Sequence, residues 1–208
     1  MMIFASGLFY FFISHDQKLV QIEGAIMFIL LILFIIYIVK FQKYTDLDDN
    51  IENEPSLTNS KILIYLFLGG FSLWLGSETL IKGAITLAKN LGVSERIISV
   101  SIVSIGTSIP ELSASIIAII NKEKAISLGN LVGSNIFNIM AVLGITSIIH
   151  PLSVEDPGLL SNDIWWMLGI SILILPLSLY PTNKKIGRVQ GLALFLLYVI
   201  FVTPLFFL

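Results

Sequence analysis

Cysteine is missing from this sequence. Its absence removes disulfides as a framework and thiolates as metal ligands. Charge is scarce as well: 12% of the residues are Asp, Glu, Lys or Arg, against the ~25% usual in soluble domains. A net charge of −2 excludes the basic surface that a nucleic-acid partner requires. The first segment has neither a basic start nor a small-residue cleavage site, so no signal peptide is expected. No nucleophile–base pair and no phosphate-binding glycine loop can be read along the chain, which leaves enzymatic chemistry and ATP-driven pumping without support. What remains is apolar. Of 208 residues 56% are hydrophobic, and the mean hydropathy is +0.92. This is the composition of a membrane protein.

The spans follow from where charge stops. Gly24–Val39, Ile62–Ser77, Ile97–Ile120 (interrupted only at Glu111), Ala125–Val154, Ile164–Asn183 and Val189–Leu208 are long runs without other acid, Lys or Arg; Met1–Ser14 is uncharged but short. A membrane helix needs ~20 mostly apolar residues, and lipid cannot satisfy exposed backbone groups. The expectation is an all-α integral membrane protein with six full helices and one partial N-terminal one. The pattern lacks the two-residue alternation of a membrane β-barrel.

Orientation follows from the basic residues. The loops at 40–61, 122–124 and 184–188 hold eight of them, and the alternate loops and flanks hold four, namely Lys18, Lys82, Lys89 and Arg96. The richer set is expected on the cytoplasmic side, with Leu208 outside. The stretch "DLDDNIENEP" (46–55) is acidic and without apolar periodicity, so residues 41–60 read as a cytoplasmic linker. It divides the chain into 1–40 and 61–208.

Those parts share a pattern. "KLVQIEGAIMFILL" (18–31) and "KIGRVQGLALFLLY" (185–198) place Lys18 with Lys185, Ile22 with Val189, Gly24 with Gly191 and Phe28 with Phe195, at an offset of 167 residues. Either two membrane helices look alike because their alphabet is small, or each is the last helix of a five-helix repeat. On the second reading 61–208 is a complete repeat and 1–40 is the end of a first one. Such repeats insert in opposite orientations in many secondary transporters.

The densest polar chemistry lies in "SIGTSIPELSAS" (104–115). Ser101, Ser104, Thr107, Ser108, Glu111 and Ser115 fall at helical spacing and line one face. Pro110 has no N–H for the carbonyl of Gly106, and Gly106 weakens the helix further. The expectation is an opened helix with the Gly106 carbonyl free beside two hydroxyls and a carboxylate. These are hard oxygen donors of the kind that hold Ca²⁺. A carboxyl kept protonated for packing alone is the bland reading of Glu111, but its cost inside a membrane favours function. For Ser101 and Ser115 helix packing is the favoured role.

A second stretch, "GNLVGSNIFNIMAVLG" (129–144), has a close-approach ridge at Gly129 and Gly133. Asn130, Ser134 and Asn138 follow at spacings of four beside it. Asn138 is favoured as a cation ligand; Asn130 and Asn135 are favoured as structural amides that hold the opened backbone of the preceding helix. Glu78 and Lys82, four residues apart, read as an interfacial ion pair rather than a gate, and His150 as a loop residue.

"GTSIPEL" followed by "GNLVGSNIFN" resembles the α-repeat signature of the cation/Ca²⁺ exchanger superfamily, and most the prokaryotic Na⁺/Ca²⁺ exchangers; the likeness runs from Lys61 to Leu208. The wording "SNIFN" is more typical of the second α-repeat. The resemblance implies ten helices in two inverted five-helix repeats, with Na⁺ and Ca²⁺ as transported ions and no organic cofactor. It implies Glu111 as the central carboxylate, oxygens from Thr107, Ser108 and the Ser104 carbonyl, and Ser134 and Asn138 as ligands from the next helix. Asn at 138, where family members carry Asp or Asn, puts the ion stoichiometry in question. The sequence also departs from the family in showing a single α-repeat, 104–144. A dication needs ~6–8 oxygens, so a second carboxylate-bearing half is expected, from a missing N-terminal part or a second copy. H⁺/Ca²⁺ exchange and a non-transporting half-protein are the alternative functions.

Overall fold

The computed structural model describes residues 1–41, 58–94, 97–179 and 187–206. The linker expected at 41–60 falls almost wholly outside these, as do Lys184, Lys185 and Leu208.

The described chain is nearly all helix. It runs α1 (Met2–Asp16), α2 (Gln21–Phe41), α3 (Asn59–Asn90), a π-helical turn Ile98–Val103 leading into α4 (Ser104–Thr107), α5 (Ile109–Ile120) and α6 (Lys124–Phe137). A second π-helical turn, Asn138–Val142, joins α6 to α7 (Leu143–Ile149). A third, Leu159–Asp163, leads into α8 (Ile164–Leu179); α9 (Arg188–Val202) ends in a 3₁₀ turn, Thr203–Phe206. Two short strands, β1 (Lys18–Leu19) and β2 (Leu152–Ser153), pair antiparallel, Lys18 opposite Ser153.

Among the described residues four stretches are long and apolar enough to cross a membrane: Gln21–Phe41, Asn59–Asn90, Ala125–Ile149 and Leu159–Leu177. The bent pair Ile98–Thr107 and Ile109–Ile120 makes a fifth if it is one span. The last of the six full spans read from the sequence contains α9, 15 helical residues followed by the 3₁₀ turn, and residues 207–208 lie outside the described ones. Leu63, Phe67, Trp74, Ile120, Val189 and Phe195 are all more than half exposed. Apolar surface on that scale suits lipid, not water.

The helix ends are set by local bonds. Gly92 adopts φ 74°, and Val93 N–H reaches back to the Ala88 carbonyl (3.0 Å), which closes α3. Lys122 closes α5 with φ 65°, and Glu123 N–H bonds the Ala118 carbonyl (2.7 Å). The starts of α2 and α9 are built alike. Val20 N–H donates to Glu23 Oε2 (3.0 Å), and Gly187 N–H donates to Gln190 Oε1 (3.1 Å). Gly24 N–H bonds the Val20 carbonyl (3.0 Å), and Gly191 N–H bonds the Gly187 carbonyl (3.0 Å). The second member of each pair lies 167 residues after the first, the offset of the sequence pattern.

The chain divides into two units. The first comprises 1–41 and 128–203, the second 42–127 and 204–208. In the first, Met2 and Ala5 of α1, Leu31 of α2, Ile136, Met140 and Ala141 form one buried cluster; Ile13, Leu19, Met27 and Ile164 form another. Its polar interior is small: the Ser6 and Ser171 hydroxyls meet at 3.0 Å between α1 and α8. In the second, α3 packs along α4 and α5.

Candidate functional site

The break falls at Ser108. This residue has φ −91° and ψ 0°, the sparsely populated bridge between helix and strand geometry. The helices on either side are bent by 43°. Pro110 therefore lies in the first turn of α5, where a missing N–H costs little. It does not sit in a helix interior.

Around the break, hydroxyls replace part of the backbone ladder. Ser108 N–H bonds the Ile105 carbonyl (3.1 Å), three residues back. The Ser104 carbonyl accepts the Ser108 hydroxyl (3.0 Å) and the Thr107 hydroxyl (3.2 Å), and Thr107 also reaches the Val103 carbonyl (3.0 Å). Each hydroxyl spends its proton on a carbonyl, which leaves oxygen lone pairs to accept from or ligate a third party. Ser104, Thr107 and Ser108 are exposed residues. Glu111 begins the next turn, half-buried, with Oε2 withdrawn from solvent. Ser104, Thr107, Ser108 and Glu111 thus stand together on one broken helix.

Besides the carbonyl expected to serve the ions, Gly106 supplies space. It is buried, and a Cβ there would collide with the Ile81 side chain of α3. Close approach of α3 is what requires glycine at 106.

Ser134 and Asn138 lie in the other unit. Ser134 Oγ donates to the Leu131 carbonyl (3.2 Å). Asn138 is exposed and opens the π-helical turn, whose last carbonyl–amide bond is Leu143 N–H to Asn138 O. Such turns recur at functional positions. The Asn135 amide donates to Leu131 O (2.8 Å) of its own helix. That is a local bond, where the sequence suggested support for the preceding helix.

Other residues take their bland roles. Ser101 is buried and its hydroxyl bonds the Ile97 carbonyl; Ser115 is buried. Lys82 Nζ and Glu78 Oε1 form an exposed ion pair at 3.0 Å. His150 follows α7 in extended conformation, exposed. Among the described residues no three His, Cys, Asp or Glu side chains gather as a metal cluster. The π-helical turns were not foreseen.

Comparison with known proteins places these motifs in context. The family described as sodium/calcium exchanger protein matches residues 61–207. The CaxA protein of Alkalimonas amylolytica is 35% identical over 206 residues, 96% of this chain and 64% of CaxA. The sodium/calcium exchanger MaX1 of Methanosarcina acetivorans is 38% identical over 148 residues, 71% of this chain and 41% of MaX1. Among solved structures, the sodium-calcium exchanger NCX_Mj soaked with 10 mM Na⁺ and zero Ca²⁺ aligns with a TM-score of 0.71 and 29% identity, over 97% of this chain and 65% of that one. In each case the chain spans less than two thirds of the protein it resembles.

Proposed function

This chain belongs to the sodium/calcium exchanger family, a family of transporters, and we propose that it supplies one wall of a Na⁺/Ca²⁺ antiport site in a multi-pass membrane protein. The observation that carries the reading is the break at Ser108. It sets the carboxylate of Glu111 one turn beyond three exposed residues that carry oxygen donors, Ser104, Thr107 and Ser108. Ser134 and Asn138 are proposed as further cation ligands, on the resemblance of their motif. Two cations competing for one set of oxygens couple their fluxes, because an ionised carboxylate held empty in lipid is costly. Access alternates as one part of the fold moves against another.

One carboxylate does not neutralise a dication in a low-dielectric site. The site is therefore completed by a second carboxylate-bearing half, the counterpart to 61–208 in an inverted-repeat fold. The matched helix starts of α2 and α9 support that repeat. In this arrangement the 41–60 loop lies in the cytoplasm of a cell with this protein in its cytoplasmic membrane, and Leu208 lies outside, as the basic bias directs.

Reconstitution into vesicles tests the function. The purified chain alone should give no Na⁺-gradient-driven Ca²⁺ flux. Flux should appear when a complementary half is co-expressed. Flux from the chain alone would overturn the half-site reading. Flux that follows a pH gradient and ignores Na⁺ would make H⁺ the counter-ion.

A further inference from the structure

Gly24 and Gly191 are equivalent in sequence and in their helix-start bonds, yet their surroundings differ. Gly24 on α2 is pressed onto α7. A Cβ there would come within 2.6 Å of the Gly144 carbonyl and would collide with Ser147 Oγ. In return, a Cβ on Gly144 would lie 3.0 Å from the Gly24 carbonyl and 3.5 Å from Phe28 Cβ. Ser147 is fully buried at this crossing. One turn before Gly144, Met140 is fully buried in the cluster that holds Met2 and Leu31, with Leu30 packed against it. The partner that α1 and α2 accept is thus a helix reading large-x-x-x-Gly-x-x-Ser, Met140 to Ser147.

Across the repeat the seat exists without its occupant. A Cβ on Gly191 would meet nothing within 4 Å. Phe195, the counterpart of Phe28, is 61% exposed. Between α8 and α9 lies an open cleft of about 390 Å³, apolar along Trp165, Trp166, Gly169 and Leu197 and polar at its Ser161–Asn162 end. Gly169 and Leu197 stand 167 residues after Met2, which shares the buried cluster of Met140, and Leu30, which packs against that cluster.

We infer that the α8–α9 cleft and the Gly191–Phe195 face seat a transmembrane helix of a complementary half, one that carries a large apolar residue, a Gly or Ala four residues later and a Ser or other small residue three beyond that. Small residues at the crossing let the two backbones approach closely, and the large residue fills the cleft as Met140 fills its own. A second copy of the chain does not fit. Its matching helix, 140–147, is already spent on its own α2, with Met140, Gly144 and Ser147 buried there. The inference rests on the half-site reading above and deepens it by naming the face and the pattern that meets it.

The test co-expresses this chain with the part of CaxA that lies outside the matched region and measures co-purification on a tag carried by the CaxA part. The wild-type chain should co-purify. Gly191→Leu should cut recovery about tenfold or more, since overpacking a close crossing is costly. Gly191→Leu should leave the thermal stability of the chain alone unchanged, whereas Gly24→Leu should lower it. Failure of the wild-type chain to co-purify would overturn the proposal. So would full recovery with Gly191→Leu, a homodimer that Gly191→Leu dissolves, or a phospholipid retained by the chain and lost on Gly169→Leu. Glu111→Gln should co-purify normally. Were it also to keep Ca²⁺ flux, the ligand reading would fail while the seat stood.

Discussion

The helix that carries Glu111 and the helix that carries Asn138 draw on nearly the same alphabet of Gly, Ser, Thr, Asn and aliphatics. One breaks and the other runs on. From Ile98 to Ile120 the chain bends by 43° at Ser108. From Ala125 to Ile149 it passes as one apolar stretch and loosens only to a π-helical turn at Asn138–Val142. Small residues do not account for the difference, since Gly129, Gly133 and Gly144 lie in the unbroken helix. Back-bonding polar groups do not either: Ser134, Asn135 and Ser147 all bond carbonyls of their own helix. The broken helix adds Pro110, which cannot donate, and two hydroxyls that converge on one carbonyl, Ser104. Proline withdraws one ladder bond and the hydroxyls make its neighbours dispensable. The lesson is that a carboxylate-bearing kink needs both, while glycine in the same setting serves close packing, as Gly106 does against Ile81.

The comparison is broken most severely at Glu111. Glu111→Gln keeps the shape and the hydrogen-bonding ends of the side chain but removes the only carboxylate on the broken helix. Ca²⁺ uptake by the completed assembly should fall by about two orders of magnitude or more, the scale of removing one charge from a buried ion contact. The kink itself should persist. Unaltered uptake in Glu111→Gln vesicles would assign the carboxyl to packing.

Pro110→Ala addresses the kink without touching a proposed ligand. It restores an N–H in the first turn of α5, where the structure tolerated its loss. Because Pro there is well placed, the thermal stability of the chain should change by no more than about 1 kcal/mol. Transport should fall nearly tenfold, because the straightened helix draws Ser104, Thr107 and Ser108 out of register with Glu111. An equal loss of stability and transport would mean that Pro110 serves folding alone.

Much of this was legible in the residues. Runs without charge marked the chain as helical and apolar enough to span a membrane, because lipid forbids unpaired charge and unpaired backbone alike. The proline and glycine located the break to within a few residues. Four things were not legible. The bend sits at Ser108, because hydroxyls three and four residues on compete for the Ser104 carbonyl, and which carbonyl wins is a matter of rotamers. Helix α3 continues past Ser77 to Asn90 through Glu78 and Lys82; an exposed ion pair four residues apart is compatible with helix, so a gain in charge marks no end. The π-helical turns leave no compositional trace, since one extra residue per turn costs no change of alphabet. The short pairing of Lys18–Leu19 with Leu152–Ser153 joins loops far apart in the chain, and two residues are too few to show an alternation.

The mildest perturbation adds charge to the unbroken helix. Asn138→Asp places a carboxylate in a stretch from Ala125 to Ile149 that has none, at an exposed position that opens the π-helical turn. Without a counter-charge an acidic side chain near the middle of a membrane helix costs ~3 kcal/mol. A cation ligated at 138 would offset that cost, so the penalty should depend on the ion. In detergent, the completed assembly carrying Asn138→Asp should melt earlier than wild type without divalent cation and recover most of the difference when Ca²⁺ is added. Ca²⁺ transport should be retained within about tenfold, with the preference moved from Na⁺ toward Ca²⁺, since added negative charge favours the dication. Asn135→Asp is the control. Its amide is already held by Leu131 in the same helix, so its carboxylate gains no ligand role and Ca²⁺ should not rescue it. Rescue of both variants to the same extent would reveal a general effect of charge on this helix and would remove Asn138 from the ligand set.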